Sequence, residues 1–184
     1  TFQQWLYDDS ISADVITWFL DAPYTYLFND TMDGYDLVPS MAAEMPQPID
    51  EEVTETGMTV SKVWQIPIRE GLEWTFHENV GYDTSAWDNT IDANDFVETY
   101  KRALDEGWFR AISGGGDFFT QANRVLNAEE YYDGDADWAD VGIKAVDDYT
   151  LEFTFVNDMS EWNVMYWLTS FVMAPINVEM YYAL

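Results

Sequence analysis

A stretch near the end of the chain alternates apolar and polar side chains, and this pattern constrains the fold most. Within residues 149–156, polar residues separate Leu151, Phe153 and Phe155. A period of two places the apolar side chains on one face of a strand and leaves the other face polar. The pattern therefore predicts a half-buried β-strand, which follows a turn at residues 147–148.

Helical spacing predicts the elements that would pack on this strand. The clearest helix covers residues 92–104, where Asp92 can cap the N-terminus, Asp95 stands three residues later, and apolar residues recur for burial. Further helices are predicted at 10–22 (apolar at 11, 15, 16, 19 and 20), with Ser12 or Asp14 as its cap, at 117–132 and at 160–168. Further strands are predicted at 59–68, with Pro67 at an edge or bulge, and at 141–146. Together these elements predict an α+β fold with a mixed β-sheet and packed helices.

Composition limits the partners of such a fold. The chain has nine Trp, twelve Tyr and eleven Phe, which is enough aromatic surface for a buried core. Its 35 Asp and Glu against seven Lys and Arg give a net charge of −28. Nucleic acid and anionic lipid are excluded as partners, because both need a cationic surface. Without cysteine the chain has neither a disulfide nor a thiolate metal site.

One acidic turn begins like a calcium loop. Asp133, Asp135 and Asp137 alternate as the first oxygen ligands of such a loop do. The pattern then fails, because Trp138 stands where the bend needs Gly and Lys144 where a bidentate Glu belongs. We therefore predict an ordinary acidic turn and no metal site.

No catalytic pattern emerges from the remaining residues. His77 is the only histidine, and we interpret it as a surface or loop histidine. The segment 114–116 has three Gly but lacks the Lys and Ser or Thr of a phosphate loop, which favours a flexible connection. Any two carboxylates could form a glycosidase pair, but no spacing singles one out. The sequence predicts that the protein is not an enzyme and has no cofactor.

Three motifs occur in an order that resembles a known family. They are Leu37–Glu44 after the Asp33–Gly34 turn, then Ile68–Trp74 followed after a longer loop at 77–89 by Thr90–Leu104, and finally Asn127–Gly134 running into Val141–Phe155. Together they resemble the extracellular solute-binding proteins of family 5, the oligopeptide- and dipeptide-binding proteins of ABC importers. The compact His-Asp-Gly turn of that family is replaced here by the loop at 77–89.

The resemblance implies a fold, a function and a location. The fold would be of the periplasmic-binding-protein type II, with residues 1–20 starting lobe I, 21–170 forming its peripheral subdomain and 171–184 returning to its central sheet. The chain would be a fragment whose second lobe is absent. The whole protein would be a monomer that captures a peptide or other small solute outside the cytoplasmic membrane, as a periplasmic protein or cell-surface lipoprotein. It would deliver this solute to the permease subunits.

An aromatic stretch next to the Gly-rich connection is our candidate for a ligand groove. It contains Trp108, Phe109, Phe118 and Phe119, and its alternative role is packing against the core. Two other functions stay open. The Trp-rich composition also suits a carbohydrate-binding module or an oligosaccharide receptor. An acidic interaction or adhesion module is the third possibility.

Overall fold

The computed structural model describes residues 3–79, 81–112, 119–120 and 124–183. The helices are α1 (Ser10–Ile16), α2 (Ala93–Asp105), α3 (Phe109–Ile112), α4 (Ala128–Asp133), α5 (Glu161–Trp167) and α6 (Val178–Ala183). The strands are β1 (Tyr24–Phe28), β2 (Tyr35–Pro39), β3 (Gln47–Ile49), β4 (Glu52–Val53), β5 (Thr59–Pro67), β6 (Leu72–Glu73), β7 (Thr90–Ile91), β8 (Ile143–Asp147) and β9 (Thr150–Ser160). Short 3₁₀ helices cover Thr84–Ala86, Trp138–Asp140 and Phe171–Met173.

A five-stranded antiparallel sheet forms the centre of the chain. Its order is β3-β5-β9-β8, and β4 pairs with the start of β5. The predicted alternation of β9 is confirmed, since Leu151, Phe153 and Phe155 are at most 1% exposed. Glu152, between them, accepts from Gln65 at 2.8 Å and from Lys144 at 2.7 Å. The buried carboxylate of Glu152, on the polar face of β9, is therefore paired with a residue of each neighbouring strand.

The strand predicted at 59–68 forms, but not at an edge. β5 lies inside the sheet between β3 and β9. Pro67 is its last residue, and its carbonyl still accepts from Ala43 N at 2.8 Å. Proline, which has no N–H, is tolerated there because its carbonyl makes this bond and the next donor is Ile68 N, which donates to Tyr149 O at 2.7 Å. The irregularity in β5 falls between Ser61 and Val63 instead.

Helix α2 covers the sheet against β8 and β9. It begins with the predicted cap: Asp92 accepts from Asn94 N at 2.7 Å, and Asp95 accepts from Asp92 N at 2.8 Å. This capping box satisfies backbone donors that have no partner inside the helix. The buried side of α2 includes Phe96 and Tyr100, both fully buried.

Aromatic rings fill the space under α2. Tyr100 lies 5.9 Å from Phe153 and 5.2 Å from Phe119, measured between ring centroids. Phe119 stacks on Trp5 at 5.3 Å, and Trp167 of α5 lies 5.0 Å from Phe153. Offset and edge-to-face pairs of this kind stabilise a core beyond the area they bury. The expected aromatic core is therefore built from segments that are far apart in sequence.

The first predicted helix forms with a different cap and a different buried face. Asp9, rather than Ser12 or Asp14, is the N-cap, and its carboxylate accepts from Ser12 N at 2.8 Å. Of the predicted apolar stripe only Ile16 is fully buried, whereas Ile11 is 75% exposed. Val15 and Phe19 are exposed as well. The spacing therefore predicted the helix correctly but not what packs against it.

The helix predicted at 117–132 is wrong in its first part. Residues 117–118 and 121–123 lie outside the described residues, and so do 113–116, where the flexible connection was predicted. Val125 forms a β-bridge with Phe155, and the helix begins only at Ala128. Asn127 precedes it in the left-handed conformation, with φ 56°. Pairing with the middle of β9 keeps this segment extended although its spacing is helical.

Three backbone segments meet at Gly142. Its N–H donates to Leu126 O at 2.9 Å, and its carbonyl accepts from Thr154 N at 2.8 Å. A Cβ at this position would stand 2.3 Å from Thr154 O. A side chain of any size therefore requires the backbone to move.

We expect Gly142→Ala to lower the free energy of unfolding by about 2 kcal/mol or more, because a clash with backbone cannot be relieved by a rotamer change. Urea unfolding followed by circular dichroism measures this change. Gly34→Ala is the matched control, since a Cβ there meets only the side chain of Asn29, at 3.2 Å. Equal effects of the two substitutions would contradict the crowding at Gly142.

Candidate ligand-binding cleft

A cleft of about 550 Å³ opens where the chain after β6 meets the chain before α6. Most of its wall is apolar or aromatic, as is typical of ligand sites. The lining residues are Phe19, Leu20, Asp21, Met41, Glu73, Trp74, Thr75, Phe76, His77, Ile91, Ala174, Pro175, Ile176, Asn177 and Met180.

Trp74 forms an aromatic part of this wall. It directly follows β6, which pairs with β7, and its backbone N–H donates to the backbone carbonyl of Asn89 at 2.8 Å. Its indole Nε1 is buried and has no hydrogen-bond partner within the described part of the chain. A buried donor without an acceptor is costly. Because this nitrogen is closed off from solvent, Trp74 contributes its ring rather than its Nε1–H group to the cleft wall.

The longer loop at 77–89 is tied to the cleft by α6 and the residue before it. Asn177 Nδ2 donates to Asp88 O at 3.0 Å, while Asn177 Oδ1 accepts from Met180 N at 2.8 Å. Glu179 Oε2 accepts from Asp88 N at 3.1 Å. Asn177 is 5% exposed, so one buried amide joins the loop to the first turn of α6.

The rim of the cleft carries negative charge. Asp21, Glu73 and His77 are exposed, and the lining contains neither Lys nor Arg among the described residues. His77 Nδ1 accepts from Asn79 N at 3.1 Å. The rim therefore favours an uncharged or cationic ligand over an anionic one.

Asp95, at the start of α2, is the titratable group with the most altered environment next to this loop. Its pKa is raised to about 6: burial is the main cause, the hydrogen bond from Asp92 N offsets part of it, and the negative charges of Asp92, Asp88 and Glu179 add to the rise. Hydrogen bonds from Thr90 lower the pKa of Asp88, so that carboxylate stays ionised at neutral pH.

The residues that we predicted for a groove do not line this cleft. Trp108 is 4% exposed and contacts Tyr181 edge to face at 5.5 Å, and Phe119 is fully buried between Trp5 and Tyr100. Phe109 is 41% exposed, and Phe118 lies outside the described residues. Ligand contact by this stretch stays a prediction, and Phe109 is its accessible member.

Sequence reasoning missed the cleft itself. Of its aromatic lining residues, Trp74 belongs to the motif at 68–74, which was interpreted only as a family signature. No local pattern links that motif to residues 174–177, because only the fold brings them together.

The predicted acidic turn has an ordinary structural role. Gly134 ends α4 in the left-handed conformation, and Asp135 N donates to Glu130 O at 2.8 Å. Across the described ranges, no group of three or more His, Asp or Glu side chains is placed to hold a metal ion. None of the helices described is both long and apolar enough to span a membrane.

Comparison with known proteins identifies relatives of most of the chain. No protein-family model matches the chain. The oligopeptide-binding protein AmiA of Streptococcus pneumoniae is 30% identical over 151 residues, which are 81% of this chain and 19% of AmiA. The chain is a homologue of oligopeptide-binding proteins. The predicted resemblance is thereby confirmed.

Solved structures of oligopeptide-binding proteins share the fold. Listeria monocytogenes OppA bound to peptide is 22% identical with a TM-score of 0.65, and the match covers 100% of this chain and 30% of OppA. The substrate-binding domain of the oligopeptide ABC transporter from Bacillus anthracis is 18% identical with a TM-score of 0.66, covering 100% of this chain and 29% of that protein. The predicted α+β class is therefore confirmed, whereas the sheet, predicted to be mixed, is antiparallel in every pairing of the described residues.

The homology covers a limited part of these relatives. The chain spans about a fifth of the length of the curated oligopeptide-binding proteins and about 30% of the solved structures. AmiA, Listeria OppA and the Bacillus anthracis substrate-binding domain are all named for binding peptide or substrate and not as enzymes. None of these three relatives supports the carbohydrate-binding alternative.

We expect Asn177→Ala to loosen the loop and α6 together, because it removes both hydrogen bonds of one buried amide. Hydrogen–deuterium exchange should accelerate in residues 87–91 and 178–183. Asn163→Ala, at an exposed position of α5, is the control and should leave both segments unchanged. Faster exchange in only one of the two segments would show that Asn177 does not couple them.

We expect the stability of the chain to depend on the ionisation of Asp95. A raised pKa means that the folded chain binds the proton more tightly than the unfolded chain, so ionisation opposes folding. The free-energy cost of ionising Asp95 in the folded chain is absent below about pH 4 and fully present above about pH 6. Asp95→Asn, whose amide oxygen can still accept from Asp92 N, should therefore raise Tm above pH 6 and leave it nearly unchanged at pH 4.

The control for this experiment is Asp30→Asn, which removes one charge from an exposed turn. If both variants gain the same Tm at pH 7, general charge repulsion explains the gain and the burial of Asp95 does not.

Proposed function

We propose that the chain is part of the substrate-binding component of an ABC importer, which captures oligopeptides outside the cytoplasmic membrane and delivers them to the permease. Homology to AmiA over 81% of the chain carries this proposal. The shared fold with OppA bound to peptide and with the substrate-binding domain of an oligopeptide ABC transporter supports it.

The chain contributes a wall of a binding site rather than a complete site. Because it spans about a fifth of AmiA, the rest of the protein supplies the opposite wall. Residues 1–20 begin lobe I, 21–170 form its peripheral subdomain, and 171–184 return towards its central sheet. The protein is a monomer located in the periplasm or on the cell surface, and closure of its lobes on the ligand signals the loaded state to the permease.

The cleft suits part of an extended peptide. Peptides in such sites are held largely through backbone hydrogen bonds, while roomy pockets accept varied side chains. The indole ring of Trp74 would pack against such a peptide as part of the cleft wall. Phe76 and Met180 offer apolar contacts to side chains without selecting one shape. The protein binds and carries its ligand without reacting with it.

The test is calorimetric titration of the complete protein with a library of uncharged peptides of four to six residues. We expect Trp74→Ala to weaken binding about tenfold or more, and Trp74→Phe to weaken it less, because an aromatic ring is kept in the cleft wall. Trp162→Ala, on the exposed side of α5, is the control and should bind as the unchanged protein does.

Two outcomes would overturn parts of the proposal. If the complete protein binds oligosaccharides but no peptide, the peptide assignment fails. If peptides bind but Trp74→Ala and Trp162→Ala behave alike, the cleft is not part of the site.

A further inference from the structure

One part of the cleft wall belongs to no helix or strand. Residues 174–177 lie between the 3₁₀ helix Phe171–Met173 and α6, and all four line the cleft. We call residues 173–177 the wall segment. Pro175, in its middle, has no backbone N–H to donate. Contacts other than a backbone ladder must therefore set the position of this segment.

The first of these contacts is made by the hydroxyl of Tyr100 in α2. It donates to the backbone carbonyl of Met173 at 2.7 Å, and both residues are fully buried. Burial raises the pKa of Tyr100, so the hydroxyl keeps its proton and remains a donor. The ring of Tyr100 lies among the aromatic rings of the core. One side chain therefore connects the core to the start of the wall segment.

Thr99, the preceding residue of α2, holds the wall segment three residues further on. Its Oγ1 accepts from Ile176 N at 2.9 Å and donates to Asp95 O at 2.6 Å. Thr99 is fully buried. Because the hydroxyl donates to the carbonyl four residues earlier in the helix, its oxygen is left to accept from Ile176. Two neighbouring residues of one helix thus hold the wall segment on both sides of Pro175.

Two buried amide side chains complete this set of contacts. Gln4 Nε2 donates to Ala174 O at 3.3 Å, and Gln4 is 4% exposed. Asn177 makes the two hydrogen bonds that join the loop at 77–89 to α6. Every residue of the wall segment except Pro175 therefore takes part in a hydrogen bond that involves a buried side chain.

The two hydroxyl groups of α2 act from behind the wall. Neither Thr99 nor Tyr100 is among the described residues that line the cleft. They determine where Ala174, Pro175 and Ile176 lie, and these three residues do line it. A binding surface that is fixed before the ligand arrives loses less free energy on binding.

We propose that Thr99 and Tyr100 are positioning residues for the cleft, and that their hydroxyl groups hold the wall segment where it receives an extended peptide. This role rests on the proposed function, because the position of the wall matters only to a ligand in the cleft. A site that loses its supporting hydrogen bonds keeps its contact residues but loses their fixed geometry. Removal of either hydroxyl should therefore weaken binding although every lining residue is unchanged.

Packing of α2 is the alternative role for these two buried side chains. In that case only their shape would matter, and side chains of similar shape would replace them without loss. Thr99→Val keeps the shape but removes the acceptor for Ile176 N, and Tyr100→Phe keeps the ring but removes the donor to Met173 O. These two substitutions separate shape from hydrogen bonding.

The first measurement uses the complete protein without peptide. Hydrogen–deuterium exchange follows the amide of Ile176, whose N–H donates to Thr99. We expect Thr99→Val to accelerate exchange in residues 176–177 about tenfold, and Thr99→Ser, which keeps the hydroxyl, to stay within about twofold of the unchanged protein. Unchanged exchange in Thr99→Val would show that the hydroxyl does not hold the wall segment, and would overturn the proposal.

The second measurement is calorimetric titration of the complete protein. The probe is the uncharged peptide of four to six residues that the unchanged protein binds most tightly. We expect Thr99→Val to raise the Kd about fivefold and Tyr100→Phe to raise it about threefold, while Thr99→Ser stays within about twofold. Circular dichroism at the same temperature establishes that each variant is folded, and Tyr100→Phe decides the question if Thr99→Val does not fold.

Ser61→Ala is the matched control. Ser61 is 2% exposed, and its hydroxyl accepts from Val63 N at 3.0 Å, much as that of Thr99 accepts from Ile176 N. It belongs to β5 and does not line the cleft. We expect this variant to lose stability but to keep its Kd within about twofold. A rise equal to that in Thr99→Val would mean that the loss of any buried hydroxyl weakens binding, which overturns the positioning role.

Trp74→Ala separates the positioning role from the proposed function itself. If Trp74→Ala weakens binding while Thr99→Val and Tyr100→Phe bind as the unchanged protein does, the cleft is the site and the positioning role alone is overturned. If Trp74→Ala also leaves binding unchanged, or if no peptide binds, the cleft is not a peptide site and both proposals fail.

Discussion

The antiparallel pairing of β5 with β9 is the interaction on which the other elements depend. It places Trp64 opposite Phe153 and Ile66 opposite Leu151, all four of which are fully buried. The resulting apolar face gives α2 and α5 a surface to cover, and the aromatic rings of the core interlock over it. Because β5 and β9 are more than 80 residues apart, closing this pair orders most of the chain between them. Helix α5 packs directly on this sheet, and α6, beside the cleft, packs on α2, which covers the sheet, while β6 pairs with β7 in a separate two-stranded sheet.

Elements with a strong local pattern could be predicted from the sequence. β9 follows from its alternation, α2 from its capping box, and α5 from Ser160 and the apolar residues behind it. Predictions failed where distant contacts outweighed local spacing. The segment at Val125 has helical spacing but is held extended by Phe155, and the apolar stripe of α1 leaves Ile11 exposed. Spacing identifies a face, but it does not tell which surface will cover it.

The functional surfaces were harder to predict than the fold. The cleft joins Trp74 to Asn177, which are separated by about a hundred residues and linked by no sequence pattern. The aromatic stretch at Trp108 and Phe119 drew attention for its composition, yet those two rings are buried, whereas Trp162 and Tyr35 are exposed. Composition counts aromatic residues without separating those that pack from those that face solvent. Whether a ring packs or faces solvent depends on the register of the β1–β2 hairpin and on which side of α5 covers the sheet, and only the folded chain provides both.

The crowding around Gly142 also bears on how this chain can change in evolution. The hydrogen bonds that meet there come from backbone groups of Leu126 and Thr154, so they place no demand on the side-chain chemistry at those two positions. Position 142 itself has no such freedom, since even a methyl group meets the Thr154 carbonyl. Substitutions in this region should therefore accumulate at positions 126 and 154, while Gly142 is kept. A substitution at 142 would be retained only together with a compensating shift of the β9 backbone.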